Sequence, residues 1–269
     1  MTRNVDWAGV AHPPAGAAPR IACLVPSLTE LVFALGCGSH VVARTGFCIH
    51  PREARLVAKI GGTKDPDLAA LRSLAPTHVI VNVDENRRED VDAIREFVPH
   101  VIVTHPLAPS DNPRLFALFG AIFGRVARAD ELTAEFAAAL QATRDSVREL
   151  PREPVLYLIW RKPWMTVGRD TYVSASLAEV GWDTLPAKAS KRYPALEEDD
   201  TAWHEAARIL LSTEPYAFRQ RDVVQMKERH GKPVTLVDGE WSSWYGPRAI
   251  AGLPAIAELR ITTARESLR

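Results

Sequence analysis

Two short clusters carry most of the capacity for chemistry in this chain, Trp160-Arg161-Lys162-Pro163-Trp164 and Trp241-Ser242-Ser243-Trp244-Tyr245. Tryptophan and tyrosine join a flat apolar face to a polar N–H or O–H, so such clusters suit half-exposed walls around a flat ligand, or the packing of a second core. Arg161 and Lys162, set between two indoles, can grip an anionic side group or stack on a ring; a solvated basic loop has the same composition. Asp84-Glu85-Asn86 offers polar contacts to a ligand, or a helix cap. Cys48 and His50 are spaced to offer a soft pair of metal donors, but a buried thiol beside a surface histidine accounts for them better; His105 is open to the same two readings. The acidic run Glu197-Glu198-Asp199-Asp200 is a solvated face or helix start, or a dock for a basic partner.

The elements that must position these residues alternate. Ile21–Val25 reads as a short strand, and Ser27-Leu28-Thr29-Glu30 has the form of a capping box, so a helix is predicted to start at Ser27 and to end at Gly36. Val41–Arg44 is a strand, a helix opens near Asp67, Thr77–Val83 is a buried strand, Val91, Ile94 and Phe97 mark a helix, and Val101–Thr104 is the next strand. From Asn112 to Leu150 the strands disappear; the pattern is helical, broken near Gly124. A second alternating half follows: a strand at Val155–Trp160, a helix around Val173–Val180, a strand at Ile209–Thr213, a helix at Asp222–His230, a strand at Val234–Asp238 and a last helix from about Pro247. Strands alternating with helices of this length predict an α/β fold, two Rossmann-like lobes with mainly parallel sheets, joined by one long helix. The expected boundaries are an N-terminal flexible arm over 1–19, a lobe over 20–125, a linking helix over 126–152 and a lobe over 153–269.

Both aromatic clusters follow the carboxyl ends of predicted strands, where ligands bind in open α/β sheets. The aromatic residues also divide by half: eleven of the twelve Trp and Tyr residues lie after residue 156, and seven of the eight Phe residues lie before it. The richer polar-aromatic surface therefore belongs to the second lobe.

Much chemistry is excluded. The chain has no G-x-S-x-G elbow, no Walker loop, no complete dinucleotide fingerprint and no H-E-x-x-H or paired C-x-x-C zinc spacing. Lys+Arg and Asp+Glu are both 33, so no global field attracts a nucleic acid. The three cysteines, Cys23, Cys37 and Cys48, make no disulfide framework. Residues 1–20 lack the apolar segment of a secretory signal and no stretch is apolar enough to span a bilayer. The expected location is thus cytoplasmic as written, or periplasmic if the sequence is trimmed from an exported protein.

The order of several motifs resembles a known family. Val25-Pro26-Ser27-Leu28-Thr29-Glu30-Leu31 with Gly36, then Phe47 and Pro51 before Ile60-Gly61-Gly62, then Leu71-x-x-Leu74-Ala75-Pro76-Thr77-His78-Val79-Ile80-Val81, is similar to the class III periplasmic binding proteins, the helical backbone metal receptors, and most of all to their cobalamin-binding subgroup. Trp160 through Gly168, Arg192-Tyr193-Pro194, Asp238-Gly239-Glu240-Trp241 and Pro247-Arg248 agree with it. The resemblance implies two lobes bridged by a stiff helix, and a non-catalytic protein that binds cobalamin or a related corrinoid in the cleft between lobes, as substrate-binding proteins of ABC importers do. It implies no catalytic cofactor, the corrinoid being ligand. By the same resemblance Phe47, Tyr193 and Trp241 pack against the ligand.

The strand-end argument adds Trp160, Arg161, Trp164, Trp244 and Tyr245, together with Glu85 and Asn86, to the expected ligand-binding residues. No metal ligand is assigned, with His50 and His105 the weak candidates. The family's acidic transporter-docking position falls at Ala69 or Ala70, with Asp65 and Asp67 near it and Glu197 or Glu198 in the second lobe. The expected partner is a small-molecule metal chelate; alanine at the docking position speaks against an ABC importer permease as a second partner, and a cytoplasmic carrier or store fits the sequence better. No nucleic acid is expected, and the chain is expected to act as a monomer. The alternatives are a siderophore- or haem-binding protein of the same fold, and a cytoplasmic enzyme using Asp84, Glu85 or His105 as acid or base.

Overall fold

The computed structural model describes residues 3–267. The chain forms two compact units. One takes the residues up to Pro106, Ser110–Phe136 and Tyr245–Pro247; the other takes Leu107–Pro109, Ala137–Trp244 and the residues from Arg248.

The first unit runs β1 (Ile21–Cys23), α1 (Pro26–Ala34), β2 (Val41–Arg44), α2 (Leu68–Ser73), β3 (His78–Asn82), α3 (Arg88–Arg95), β4 (His100–Thr104), α4 (Asn112–Ile122) and the first part of α5 (Val126–Val147). Its four strands are all parallel in the order β2-β1-β3-β4. A parallel sheet is covered on both faces, which is why β1 and β3 are buried along their whole length, β1 as an apolar run and β3 with an apolar centre between the buried His78 and Asn82. One layer of the core packs Leu71, Val79, Val81, Ile94 and Val101 together. Elsewhere in the unit α1 buries Leu28 and Leu31, and α4 buries Leu115, Phe116 and Phe119.

The capping box predicted at Ser27 is not formed, and this is a correction. Val25 is the N-cap, and Pro26 occupies the first turn, where its missing N–H costs nothing and its fixed φ suits a helix. Thr29 instead donates its hydroxyl back to the Val25 carbonyl at 3.0 Å. At α2 the expectation is met, with Asp67 accepting from the Ala70 N–H at 2.9 Å. Residues ahead of β1 are built into the unit: Val5 and Ala11 form an antiparallel bridge, and Asp6 and His12 are buried.

The second unit holds the rest of α5, then β5 (Glu153–Leu158), β6 (Trp160–Arg161), β7 (Trp164–Met165), α6 (Tyr172–Glu179), β8 (Trp182–Thr184), β9 (Ala195–Leu196), α7 (Ala202–Glu205), β10 (Arg208–Ser212), α8 (Gln220–His230), β11 (Val234–Val237), α9 (Gly239–Ser243) and α10 (Arg248–Ser267). A four-stranded parallel sheet has the order β11-β10-β5-β8.

The strand predicted over Val155–Trp160 is two strands. The Ile159 N–H turns to the Met165 carbonyl, and Trp160–Arg161 pairs antiparallel with Trp164–Met165, which pairs in turn with Ala195–Leu196. This ribbon β6-β7-β9, and the sheet strand β8, were not foreseen. Two-residue strands carry no periodicity, and β8 is a three-residue strand whose register is set by its partner β5.

Among the described residues no helix is long and apolar enough to cross a membrane.

Candidate functional site

In the first unit the loops leaving the carboxyl ends of β1, β2 and β3 are laced together by amides. Asn82 Oδ1 accepts from the Asp84 N–H at 2.8 Å, and Asn86 Oδ1 accepts from the Asn82 N–H at 2.9 Å. Asn86 Nδ2 donates to the carbonyls of Thr63 at 3.0 Å and Leu24 at 3.4 Å. Asn86 is therefore a buried tie between three loops and caps no helix; the N-cap of α3 is Arg87. Glu85 accepts a 2.6 Å hydrogen bond from the Tyr245 hydroxyl. Tyr245 is buried, and that burial, followed by the charge of Glu85, holds its phenol protonated well above the usual range. His105 Nε2 lies 3.5 Å from Asp84 Oδ1, and Lys64 donates to the Asp84 carbonyl at 2.7 Å.

Cys48 faces inward. It is fully buried, its Sγ lies 3.2 Å from Thr45 Oγ1, and burial pushes its thiol up, so it stays protonated. His50 is half-buried in the same loop. No cluster of three or more His, Cys, Asp or Glu side chains placed to hold a metal ion occurs among the described residues. What this end of the unit leaves open is apolar: Phe47, after β2, is 63% exposed, and Val83, after β3, is 53% exposed. Val83 was missed from the sequence because it closes an apolar strand pattern and reads as core.

In the second unit the aromatic residues split by depth. Trp160 is 40% exposed, gives its indole N–H to the Lys162 carbonyl at 3.1 Å, and rests edge-on against Tyr216 with ring centres 5.6 Å apart. Tyr216 was also missed; it sits in the loop after β10, with no cluster around it in the sequence to mark it. Arg161 is turned onto α8, where it bonds Asp222 at 2.9 Å and Gln225 at 3.2 Å. Trp164 packs on the core, parallel to Phe218 at 6.2 Å and edge-on to Trp203 at 5.9 Å. Tyr193 and Trp241 are half-buried against a second core layer that includes Tyr157, Val167 and Leu177.

Beneath Trp241 lies a polar network. The Tyr157 hydroxyl, fully buried and pushed up to about 12 by that burial, donates to Ser212 Oγ at 2.9 Å and meets Ser242 Oγ at 2.7 Å. Glu214 Oε1 accepts from Trp244 Nε1 at 2.7 Å and from Ser243 Oγ at 3.0 Å. Burial raises the Glu214 carboxyl above its usual range, those two donors oppose the shift, and the neighbouring carboxylates Glu240 and Asp238 add to it. Trp244 itself is buried, with the Arg248 guanidinium 5.4 Å from its ring centre and 3.7 Å from Glu240. Glu214, like Tyr216, carries no motif that would have marked it.

The two ends thus offer exposed flat or apolar surface, Phe47 and Val83 in one unit and Trp160 in the other, on frameworks fixed by buried hydrogen bonds. Such surfaces bind by stacking and area rather than by bond-making.

The family model for periplasmic binding proteins matches residues 21–231. The chain is similar to a vitamin B12-binding protein of Vibrio campbellii, with 22% identity over 85% of this chain and 76% of that protein. It is also similar to an uncharacterized ABC transporter substrate-binding lipoprotein, YvrC, of Bacillus subtilis, with 24% identity over 89% of this chain and 79% of that one. Among solved structures, the apo form of the periplasmic haem-binding protein RhuT from Roseiflexus sp. RS-1 shares the fold with a TM-score of 0.76, 23% identity, and coverage of 91% of this chain and 98% of that one. The last two, one described as a lipoprotein and the other as periplasmic, give the cytoplasmic expectation no support.

Proposed function

The chain belongs to the periplasmic binding protein family, and from that premise we propose that it binds cobalamin or a related corrinoid through the strand-end surfaces of its units. Membership makes it a non-catalytic binding protein and removes the enzyme alternative built on Asp84, Glu85 and His105. The observation that carries the ligand is the exposed aromatic surface at the carboxyl ends of parallel strands, Phe47 and Trp160, in a chain similar to a vitamin B12-binding protein. A corrin is a wide macrocycle with apolar faces and amide-bearing edges. Exposed rings match its faces, and nearby polar groups such as Asp84 and Lys162 match its edges.

In this reading Phe47, Trp160, Tyr193 and Trp241 meet the ligand. Glu85, Asn86, Arg161, Trp164, Trp244 and Tyr245 hold the loops that present them. The likeness to a substrate-binding lipoprotein of an ABC transporter supports a membrane permease as partner and a place outside the cytoplasm. A second reading, a haem-binding protein, is favoured by the fold shared with RhuT.

Equilibrium dialysis of cyanocobalamin against the wild-type chain, Phe47→Ala and Trp160→Ala tests the proposal. Saturable binding weakened in both variants supports it. Binding unchanged in both removes the proposed surfaces.

A further inference from the structure

Strand β4 is an edge of the first sheet, and its outer backbone at Val103 is covered by the segment of residues 4–12. The Trp7 N–H donates to the Val103 carbonyl at 3.1 Å, while the Val103 N–H donates to Asp6 Oδ2 at 3.0 Å. A side-chain carboxylate thus stands where the carbonyl of a fifth strand would be. The same carboxylate accepts from the Ala8 and Val10 N–H groups, both at 2.9 Å, and meets His12 Nε2 at 3.0 Å. With Asp6 and His12 almost wholly buried, one side chain folds the segment's own loop and fastens it to the sheet.

Behind this fastening stand three imidazoles. His12 lies edge-on to His100 at 6.4 Å, and His100 is stacked on His78 at 4.7 Å. His78 is buried; Thr77 Oγ1 meets its Nδ1 at 2.8 Å, and its Nε2 has no hydrogen-bond partner. Phe123 closes the other side of the His78 ring at 5.6 Å. The charged groups facing the segment are Arg114 of α4, which donates to the Asp6 carbonyl at 3.2 Å and covers the Trp7 ring at 3.9 Å, and Asp130 of α5, which pairs with Arg3 at 3.2 Å. Among the described residues the ring contacts of His78 and His100 are with each other, His12, Thr77 and Phe123, none of which carries a negative charge to offset an added proton.

We propose that the segment of residues 4–12 is an acid-released strap on β4, with the Asp6 carboxylate as its latch and the His12–His100–His78 stack as its trigger. Burial, then the neighbouring His100 and His12, push His78 down to about 4 from an ordinary value near 6.5. The folded state refuses a proton that an opened state accepts. Its hold is therefore complete above about pH 6.5 and is lost as pH falls from there toward 4. Asp6 is a second stage: burial raises its carboxyl, but His12 and the Val103 and Val10 N–H groups outweigh that and hold it below the usual range, so the latch keeps its charge until stronger acid. Release uncovers an unpaired strand edge, the kind of surface that proteins keep covered.

Amide hydrogen exchange of the full chain tests this, read at Val103 and at the central-strand residue Ile80 and corrected for intrinsic exchange. In the wild type, protection of Val103 relative to Ile80 is expected to fall at least tenfold between pH 7 and pH 4.5. His78→Phe should keep that protection at pH 4.5, and Asp6→Asn should lack it already at pH 7. If Asp6→Asn does not fold, His12→Gln probes the same contact at pH 7. Val103 exchanging in step with Ile80 at every pH, or His78→Phe loosening as the wild type does, would overturn the proposal.

Discussion

The Tyr245 hydroxyl donates a 2.6 Å hydrogen bond to Glu85 Oε1, joining residues 160 positions apart in the chain. One residue on, the Gly246 N–H donates to Asn112 Oδ1 at 2.6 Å, so residues 245–247 are fastened to the first unit by two charge- or amide-based contacts. Tyr245→Phe removes the phenol donor and leaves Glu85 with one fewer partner in a half-buried position. It is expected to lower stability by about 1–3 kcal/mol, as hydrogen bonds to charged acceptors do. Urea unfolding of the two proteins measures the difference; equal midpoints and slopes would show that the contact contributes nothing.

Glu214 gives a pH prediction with a definite sign. Its carboxyl is raised in the folded state by burial, so ionising it above that raised value costs stability that a neutral amide does not. Glu214→Gln keeps an oxygen to accept from Trp244 and Ser243. The variant should be the more stable protein at pH 7, and its advantage should vanish as pH falls below the ordinary carboxylate range near 4.5. Thermal melts from pH 7 to pH 4 read both ends, and an advantage that grows toward acid contradicts the assignment.

Gly239 opens α9 where the backbone passes Glu214 and Ser212 at close range, and a Cβ there would collide with both side chains. Gly239→Ala should cost about 1–3 kcal/mol through overpacking. It should also perturb the indole of Trp244, which Glu214 holds. Calorimetry and the near-ultraviolet circular dichroism of tryptophan check the two effects.

The two tryptophans of the first cluster should separate by phenotype. Trp160→Ala removes an exposed ring and should weaken corrinoid binding by about 1–4 kcal/mol with little effect on folding. Trp164→Ala removes a ring packed between Phe218 and Trp203 and should cost about 3 kcal/mol of stability. Binding and denaturation curves on both variants decide it; the reverse pattern would exchange their roles.

That separation shows where sequence reading ends. Helices such as Gln220–His230 were legible because burial at Asp222, Val223 and Met226 repeats at helical spacing, and strands such as Val41–Arg44 because a short apolar run between turns marks a strand covered on both faces. Trp160 and Trp164 are four residues apart in one cluster, and which ring faces solvent is fixed by the pairing Trp160↔Met165 and Arg161↔Trp164, a two-residue hairpin with no pattern of its own. Arg161 could not be read as a clamp on Asp222 and Gln225, because that contact spans more than 60 residues. Ser27-x-x-Glu30 misled for a local reason: Pro26 begins the helix with Val25 as its N-cap, which places Ser27 inside the first turn rather than ahead of it. The strand ends were thus visible, and the depth of each side chain behind them was a tertiary fact.

The exposed strand-end surfaces at Phe47 and Trp160 are proposed to take a corrinoid. Parallel titration of the purified chain with cobalamin, cobinamide and haem, followed by tryptophan fluorescence and the ligand absorption bands, tests it most directly. Saturable quenching by both corrinoids at micromolar concentration or below is the expected result. Silence with the corrinoids alongside a saturable response to haem would contradict it.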